Sequence, residues 1–160
     1  MKELKRKVKK LIFTAPTKGN KWMICIRFPT DIKIKLKAQA EKDYIGRGKQ
    51  SLLIEDAIKY YLFTCSDIKW EDALRDQEYA ELLDDIHEGL NQRPLEGATQ
   101  VFVSLRVKKQ LLDLEKKIRS INPMMQDIRT GLIRKAVSIR LSVGDKAFFD
   151  SIIDLNTSQL

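Results

Sequence analysis

Six side chains in two short segments make the clearest chemical constellation in this sequence: Met23, Cys25 and Arg27 in one, Gln100, Phe102 and Ser104 in the other. Arg27 is a planar fork of donors. Gln100 sets a donor beside an acceptor, and Ser104 can act as either. Met23 and Phe102 add apolar contact. This is a set for recognition and not for bond making. His87 stands alone in an acidic stretch, with no partner at the spacing of a metal site or a nucleophile triad. The carboxylates of 66–88 read as the solvated face of a helix, not as a paired acid and base. Gly46-Arg47-Gly48 is a turn without the other residues of a phosphate loop. Cys25 and Cys65 are too few and too distant for a metal site or a disulfide scaffold. The expectation is therefore a protein that is not an enzyme, carries no cofactor and works reduced in the cytoplasm.

The elements that must position those six side chains follow from periodicity. In 21–28, Trp22, Ile24, Ile26 and Phe28 fall on one face, and Lys21, Met23, Cys25 and Arg27 on the other, as in a half-buried strand. Pro29 cannot donate into a ladder and ends it, after which Thr30 or Asp31 can cap a helix. Residues 32–45 are ambiguous, because Ile32, Ile34 and Leu36 alternate while Ile32, Leu36 and Ala40 also make an i, i+4 stripe. Composition favours helix. Gly46-Arg47-Gly48 breaks it, and Ser51 to Phe63 form an amphipathic helix with Leu53, Ile54, Ala57, Ile58 and Tyr61 on one face. The same order then recurs: a strand about 99–105 with Val101, Val103 and Leu105 inward, a helix about 107–121, a turn at Asn122-Pro123, and a helix about 127–141. Between the two lies a helical stretch, 68–90, with Tyr79, Leu83, Ile86 and Leu90 as its stripe; Asn91 to Pro94 and Gly97 end it. A short last helix is expected between Gly144 and Asp154.

Charge divides the chain unevenly. Of a net +8, the segment from Ser66 to Glu88 contributes −7, leaving +15 on the rest. A body that basic suits a polyanion, since counterion release drives non-specific nucleic-acid affinity. Residues 1–19 form a Lys-rich arm, read either as a solubilising tail or as a DNA-backbone-binding arm. With 43% hydrophobic and 32% charged residues in 160, the chain is globular. No run approaches the roughly 18 apolar residues that cross a bilayer, and the three-residue Leu11-Ile12-Phe13 is too short for a signal peptide, so neither membrane nor secretion is expected.

The repeated order is the most informative feature, because neither copy could bury its apolar face alone. Ile26 matches Val103 at an offset of 77 and Ala57 matches Ala136 at 79, which assigns two extra residues to the second turn. Each copy resembles the ribbon-helix-helix (MetJ/Arc-like) family of DNA-binding proteins. The resemblance rests on the strand ending in Phe28-Pro29, a first helix, a Gly- or Pro-containing turn, and the second-helix runs Ser51-Leu52-Leu53-Ile54-Glu55-Asp56-Ala57-Ile58 and Thr130-Gly131-Leu132-Ile133-Arg134-Lys135-Ala136-Val137. Copy two departs from it at Arg106, in place of Pro29, and at Gly131 within the helix.

The resemblance implies a mostly α fold with a two-stranded antiparallel β-ribbon, two ribbon-helix-helix units making a pseudo-dimer within one chain. The expected divisions are a basic arm 1–19, unit one 20–64, an acidic helical linker 65–98, unit two 99–142, and a C-terminal short helix and tail 143–160. It implies a ribbon inserted into the major groove of double-stranded DNA. Met23, Cys25, Arg27, Gln100, Phe102 and Ser104 would then meet base edges: Arg27 suits guanine O6 and N7, Gln100 adenine N6 and N7, and Met23 and Phe102 thymine methyls. Lys21, and the helix starts at Lys49, Gln50 and Ser51 and at Arg129 and Thr130, would hold phosphates. Because the outward triplets differ, the preferred site should not be palindromic. Tandem chains of this kind are similar to accessory proteins of conjugative or T-DNA transfer (the VirC type among them), which assist a relaxase on plasmid or other mobile DNA. The alternatives are a transcriptional repressor and an antitoxin-like interaction regulator. The second is disfavoured because only about six residues, Leu155 to Leu160, follow the last expected helix.

Overall fold

The computed structural model describes residues 21–64, 76–95, 97–144, 146–147 and 150–151. The basic arm, the start of the acidic segment and most of the last expected helix lie outside the described residues. Within them the order is β1 (Lys21–Ile26), α1 (Thr30–Asp43), α2 (Lys49–Thr64), α3 (Asp76–Leu90), β2 (Thr99–Ser104), α4 (Leu105–Ile121) and α5 (Ile128–Val143). The fold is mostly helical, and its two strands pair antiparallel as one ribbon.

Alternation makes β1 a strand: Ile24 and Ile26 are buried while Met23 and Cys25 are exposed. Pro29 stands at the N-cap of α1, and neither Thr30 nor Asp31 caps it; the cap has no side-chain hydrogen bond. Instead the first turn closes through the Lys33 N–H, which donates to the Pro29 carbonyl at 2.9 Å. The helical reading of this stretch prevails over the alternating one: Leu36 and Ala40 are buried, whereas Ile34 is 65% exposed. Gly48, at φ +72°, turns the chain into α2 in a backbone conformation that favours glycine.

The second copy starts differently. Ser104 caps α4, its Oγ accepting from the Val107 N–H, so strand passes into helix without an intervening loop. Leu105, expected to point inward, is thereby the first helical residue and is 48% exposed; Val107 is buried instead. Only one of the two extra residues falls in the turn, which spans 122–127 against 44–48 in the first copy. α2 and α5 are both 16 residues long and lie 79 positions apart from end to end. The residues just before them, Gly48 and Asp127, share the same separation and the same left-handed backbone.

These two helices meet at the centre of the core, where Leu53, Ile54, Ala57 and Ile58 join Leu132, Ile133, Ala136 and Val137 beneath the ribbon. Arg140 of α5, fully buried, pairs with Asp43 of α1 at 2.8 Å. The acidic α3 docks chiefly on α5, burying Leu82 and Ile86 while Tyr79, Leu83 and Leu90 stay half-buried. The expected stripe is thus rotated by one residue at Leu82. Its cause is a close crossing in which Gly89 faces Gly131, so that a Cβ on Gly89 would lie 2.1 Å from the Gly131 carbonyl oxygen. The Gly131 that departs from the first copy's helix is what lets α3 approach. Tyr61 donates to Asp85 at 2.8 Å, and Lys135 pairs with Asp85 at 3.8 Å and with Glu88.

Candidate nucleic-acid interface

The ribbon's register is Lys21 opposite Ser104, Trp22 opposite Val103, Met23 opposite Phe102, Ile24 opposite Val101, Cys25 opposite Gln100, and Ile26 opposite Thr99. Five of the six side chains expected to read bases therefore sit on one face, in the pairs Met23–Phe102 and Cys25–Gln100 and in Lys21–Ser104 beside them. Arg27, exposed, follows β1 on the same alternation. Met23, Cys25 and Gln100 are exposed, and Phe102 and Ser104 are half-buried.

The helix α2 grips β2, and α5 holds the backbone just past the end of β1. On β2, the Phe102 N–H donates to Ser51 Oγ at 3.1 Å and the Ser104 N–H donates to Glu55 Oε1 at 2.9 Å. Those N–H groups point away from β1, so the outward pairs are the narrow, non-hydrogen-bonded pairs of the ladder, in which facing side chains stand closest. Lys21 reaches Glu55 from the neighbouring strand at 3.3 Å. Burial raises the Glu55 carboxyl, but the hydrogen bonds from Ser104 and the charges of Lys59 and Lys21 outweigh it and leave the group below its ordinary value. At the far edge, Arg134 of α5 donates through Nε to the Arg27 carbonyl at 2.8 Å and through a terminal nitrogen to the Gly89 carbonyl at 3.3 Å. Burial, with Arg93 nearby, pulls the Arg134 guanidinium below its usual value.

The helix starts flank the ribbon. The first turn of α2 borders an open groove of about 460 Å³ whose lining includes Lys37, Lys49, Gln50, Ser51, Gln100 and Phe102. This groove brings the expected phosphate-binding start of α2 together with two of the expected base-reading residues. Lys49 pairs with the exposed Glu41 at 2.7 Å and holds its carboxyl below the usual range. The Ser51 hydroxyl is buried and committed to β2, so only its backbone N–H could serve an anion. At the start of α5, Arg129 stacks on the Trp22 ring at 4.7 Å and pairs with the buried Glu115 at 3.1 Å, while Lys108 approaches the same ring at 5.5 Å. Thr130 is half-buried beside it. Lys21, Lys49 and Arg129 thus all hold carboxylates within the fold, and any phosphate must compete with those partners.

Glu55 and Arg134, which brace the ribbon, are not among the residues singled out from the sequence. The signal was there: each is a charged residue inside an otherwise apolar helical face, and such a group is buried only with partners. His87 is exposed on α3. Among the described residues no helix is long and apolar enough to cross a membrane, and no three His, Cys, Asp or Glu side chains cluster as metal ligands would. Comparison with protein-family models, curated proteins and solved structures finds no match to this chain.

Proposed function

We propose that this protein binds double-stranded DNA sequence-specifically, laying the outward face of its β-ribbon in the major groove as an intramolecular pair of ribbon-helix-helix units. The observation that carries the reading is bracing across the two copies: α2 of the first copy grips β2 through two hydrogen bonds, and α5 of the second holds the carbonyl of Arg27, the residue that follows β1. Two units joined at the ribbon in this way can act as the halves of a dimer. A ribbon fixed this way is a rigid platform, and rigid placement is what base readout needs. Its outward face carries Arg27, Gln100 and Ser104, groups that fit base edges. The 79-residue correspondence of α2 and α5 supports the same pairing of halves.

Within DNA binding, the tandem single-chain form favours an accessory role in conjugative or T-DNA-type transfer, alongside a relaxase, over a simple operator-occluding repressor. That preference is an analogy with the resembling family. The test of the binding reading is selection of duplexes from a random pool, with Arg27→Ala and Gln100→Ala run in parallel. The expected result is a non-palindromic motif that relaxes at different positions in the two variants. Enrichment indifferent to both variants, or no enrichment, would overturn ribbon readout and leave a general polyanion binder. Where the motif falls, at a transfer origin or across a promoter, separates the accessory role from the repressor.

A further inference from the structure

The register gives the outward face a centre, and that centre is apolar. Of the three outward pairs, Met23–Phe102 lies in the middle, with Lys21–Ser104 on one side and Cys25–Gln100 on the other. Met23 is 49% exposed although it is one of the larger apolar side chains of the chain. Phe102 is fixed beside it, its backbone N–H tied to Ser51. The two stand across a narrow ladder pair, where opposed Cβ atoms are about 4.5–5.5 Å apart, and so form one apolar patch. On a solvated ribbon such a patch gains nothing.

Resting on the reading of the ribbon as a major-groove reader, we propose that the centre of the DNA site is recognised through pyrimidine C5-methyl groups, approached by Met23 and Phe102. The methyl is the apolar group a base pair presents on its major-groove edge; the other groups there are donors and acceptors that a thioether or a phenyl ring would leave unpaired. The occupant is argued from charge as well as shape, since the exposed Arg27 follows on the same face as the patch, while Lys21 there is paired with Glu55. Geometry also sets the spacing. Successive outward residues on a strand are about 6.6 Å apart, close to two base-pair steps at about 3.4 Å each. The Gln100 row and the Ser104 row should therefore act about two base pairs to either side of the methyl-reading centre.

The C5 methyl could belong to thymine or to 5-methylcytosine, and synthetic duplexes distinguish them. Once a motif has been selected, the central thymines are replaced by deoxyuridine, which removes the methyl and changes nothing else on the edge. Losing one buried methyl corresponds to about fourfold in affinity, and losing two to about fifteenfold. A second arm places cytosine or 5-methylcytosine at the same positions; tighter binding of the methylated form alone would assign the contact to 5-methylcytosine. Met23→Ala, at an exposed position, should keep the fold and lose the methyl sensitivity of one half. A motif whose centre is indifferent to methyl removal in both arms overturns this inference while DNA readout stands. Methyl sensitivity that survives unchanged in Met23→Ala and in Phe102→Ala would place the effect in DNA shape and overturn it equally. Failure to select any motif would instead sink the underlying reading of the ribbon.

Discussion

Replacing Gly131 by alanine tests whether close helix crossing holds the acidic α3 in place. A Cβ there would lie 2.6 Å from the Ile86 carbonyl oxygen, 2.9 Å from Ile86 Cγ2 and 3.0 Å from its Cα. Non-bonded carbons settle at about 3.5–4.0 Å, and two of these neighbours are backbone, so no rotamer change relieves the contact. Two effects oppose each other. Helix propensity alone would make the alanine about 1 kcal/mol more stable. Overpacking costs about 1–3 kcal/mol if the helices stay together. If α3 lifts away instead, exposing Leu82 and Ile86 costs about 1.5–3 kcal/mol each. The protein takes the cheaper response, so the net expectation is a loss of up to about 2 kcal/mol. Urea unfolding reads it as a lower midpoint at unchanged slope if α3 stays docked. Limited proteolysis reads detachment as new cuts within 76–90. Gly97→Ala, whose Cβ would meet nothing within 4 Å, is the control and should leave both readouts unmoved. A higher midpoint for Gly131→Ala, with α3 still protected, would refute the close crossing.

Glu55→Gln should destabilise by about 1–3 kcal/mol at neutral pH, because the charged acceptor of the Ser104 N–H and the partner of Lys21 is lost. Its carboxyl sits below the ordinary value in the folded protein. The advantage of the wild type is therefore full above the ordinary carboxylate range and disappears as pH falls through the lowered folded value. A difference between the two proteins that persists undiminished in acid would contradict this. Arg129→Ala should lower stability by about 1–3 kcal/mol, since the buried Glu115 loses one of its cations, and Arg129→Lys should recover only part because a lysine does not stack as a plane on Trp22; full recovery in thermal melts would discount the stack. For Asp85 the sign is reversed, because burial raises its carboxyl despite Tyr61 and Lys135. Asp85→Asn should thus remove a gain in stability that the wild type shows as pH falls from the raised folded value toward the ordinary one, and an identical pH profile would count against that burial. Arg134→Glu would aim a carboxylate at the Arg27 and Gly89 carbonyls, and it should unfold the chain more readily than Arg134→Met; denaturation midpoints in the opposite order would reject the carbonyl-bridging role.

Strand and helix were legible where local chemistry and periodicity agreed. The alternation of 21–28 gave β1 and its outward face, and the stripe Leu53, Ile54, Ala57, Ile58 and Tyr61 is buried as a stripe. Legibility failed where one side chain redirected the chain. Ser104 is both a strand residue and a helix cap, and periodicity cannot say which role ends the strand, so Leu105 reads from sequence as an inward strand residue. The rotation of the α3 stripe toward Leu82 depends on Gly89 meeting Gly131, a contact between positions far apart in sequence that no window contains. The expected phosphate contacts illustrate the same limit. Lys49, Ser51 and Arg129 do flank the ribbon, but their partners Glu41, the Phe102 N–H and Glu115 come from other elements.

The differences between the two copies have a common physical logic. Glu55 and Arg134 stand 79 positions apart in matching helices, yet carry opposite charge, because one faces strand N–H groups and the other faces carbonyls. Gly131 corresponds in the same way to Leu52, and α3 rests on the glycine while the leucine is left exposed. Two identical chains could not make either pair of choices, since each residue would appear on both sides. On the reading proposed above, joining the halves in one chain removes that constraint from the DNA-facing surface too. A Lys21–Ser104 row at one end and a Cys25–Gln100 row at the other would set the chain on its site in one direction only. The docked α3, with Glu81, Asp84 and Glu88 exposed, would then always lie on the same side of the bound DNA.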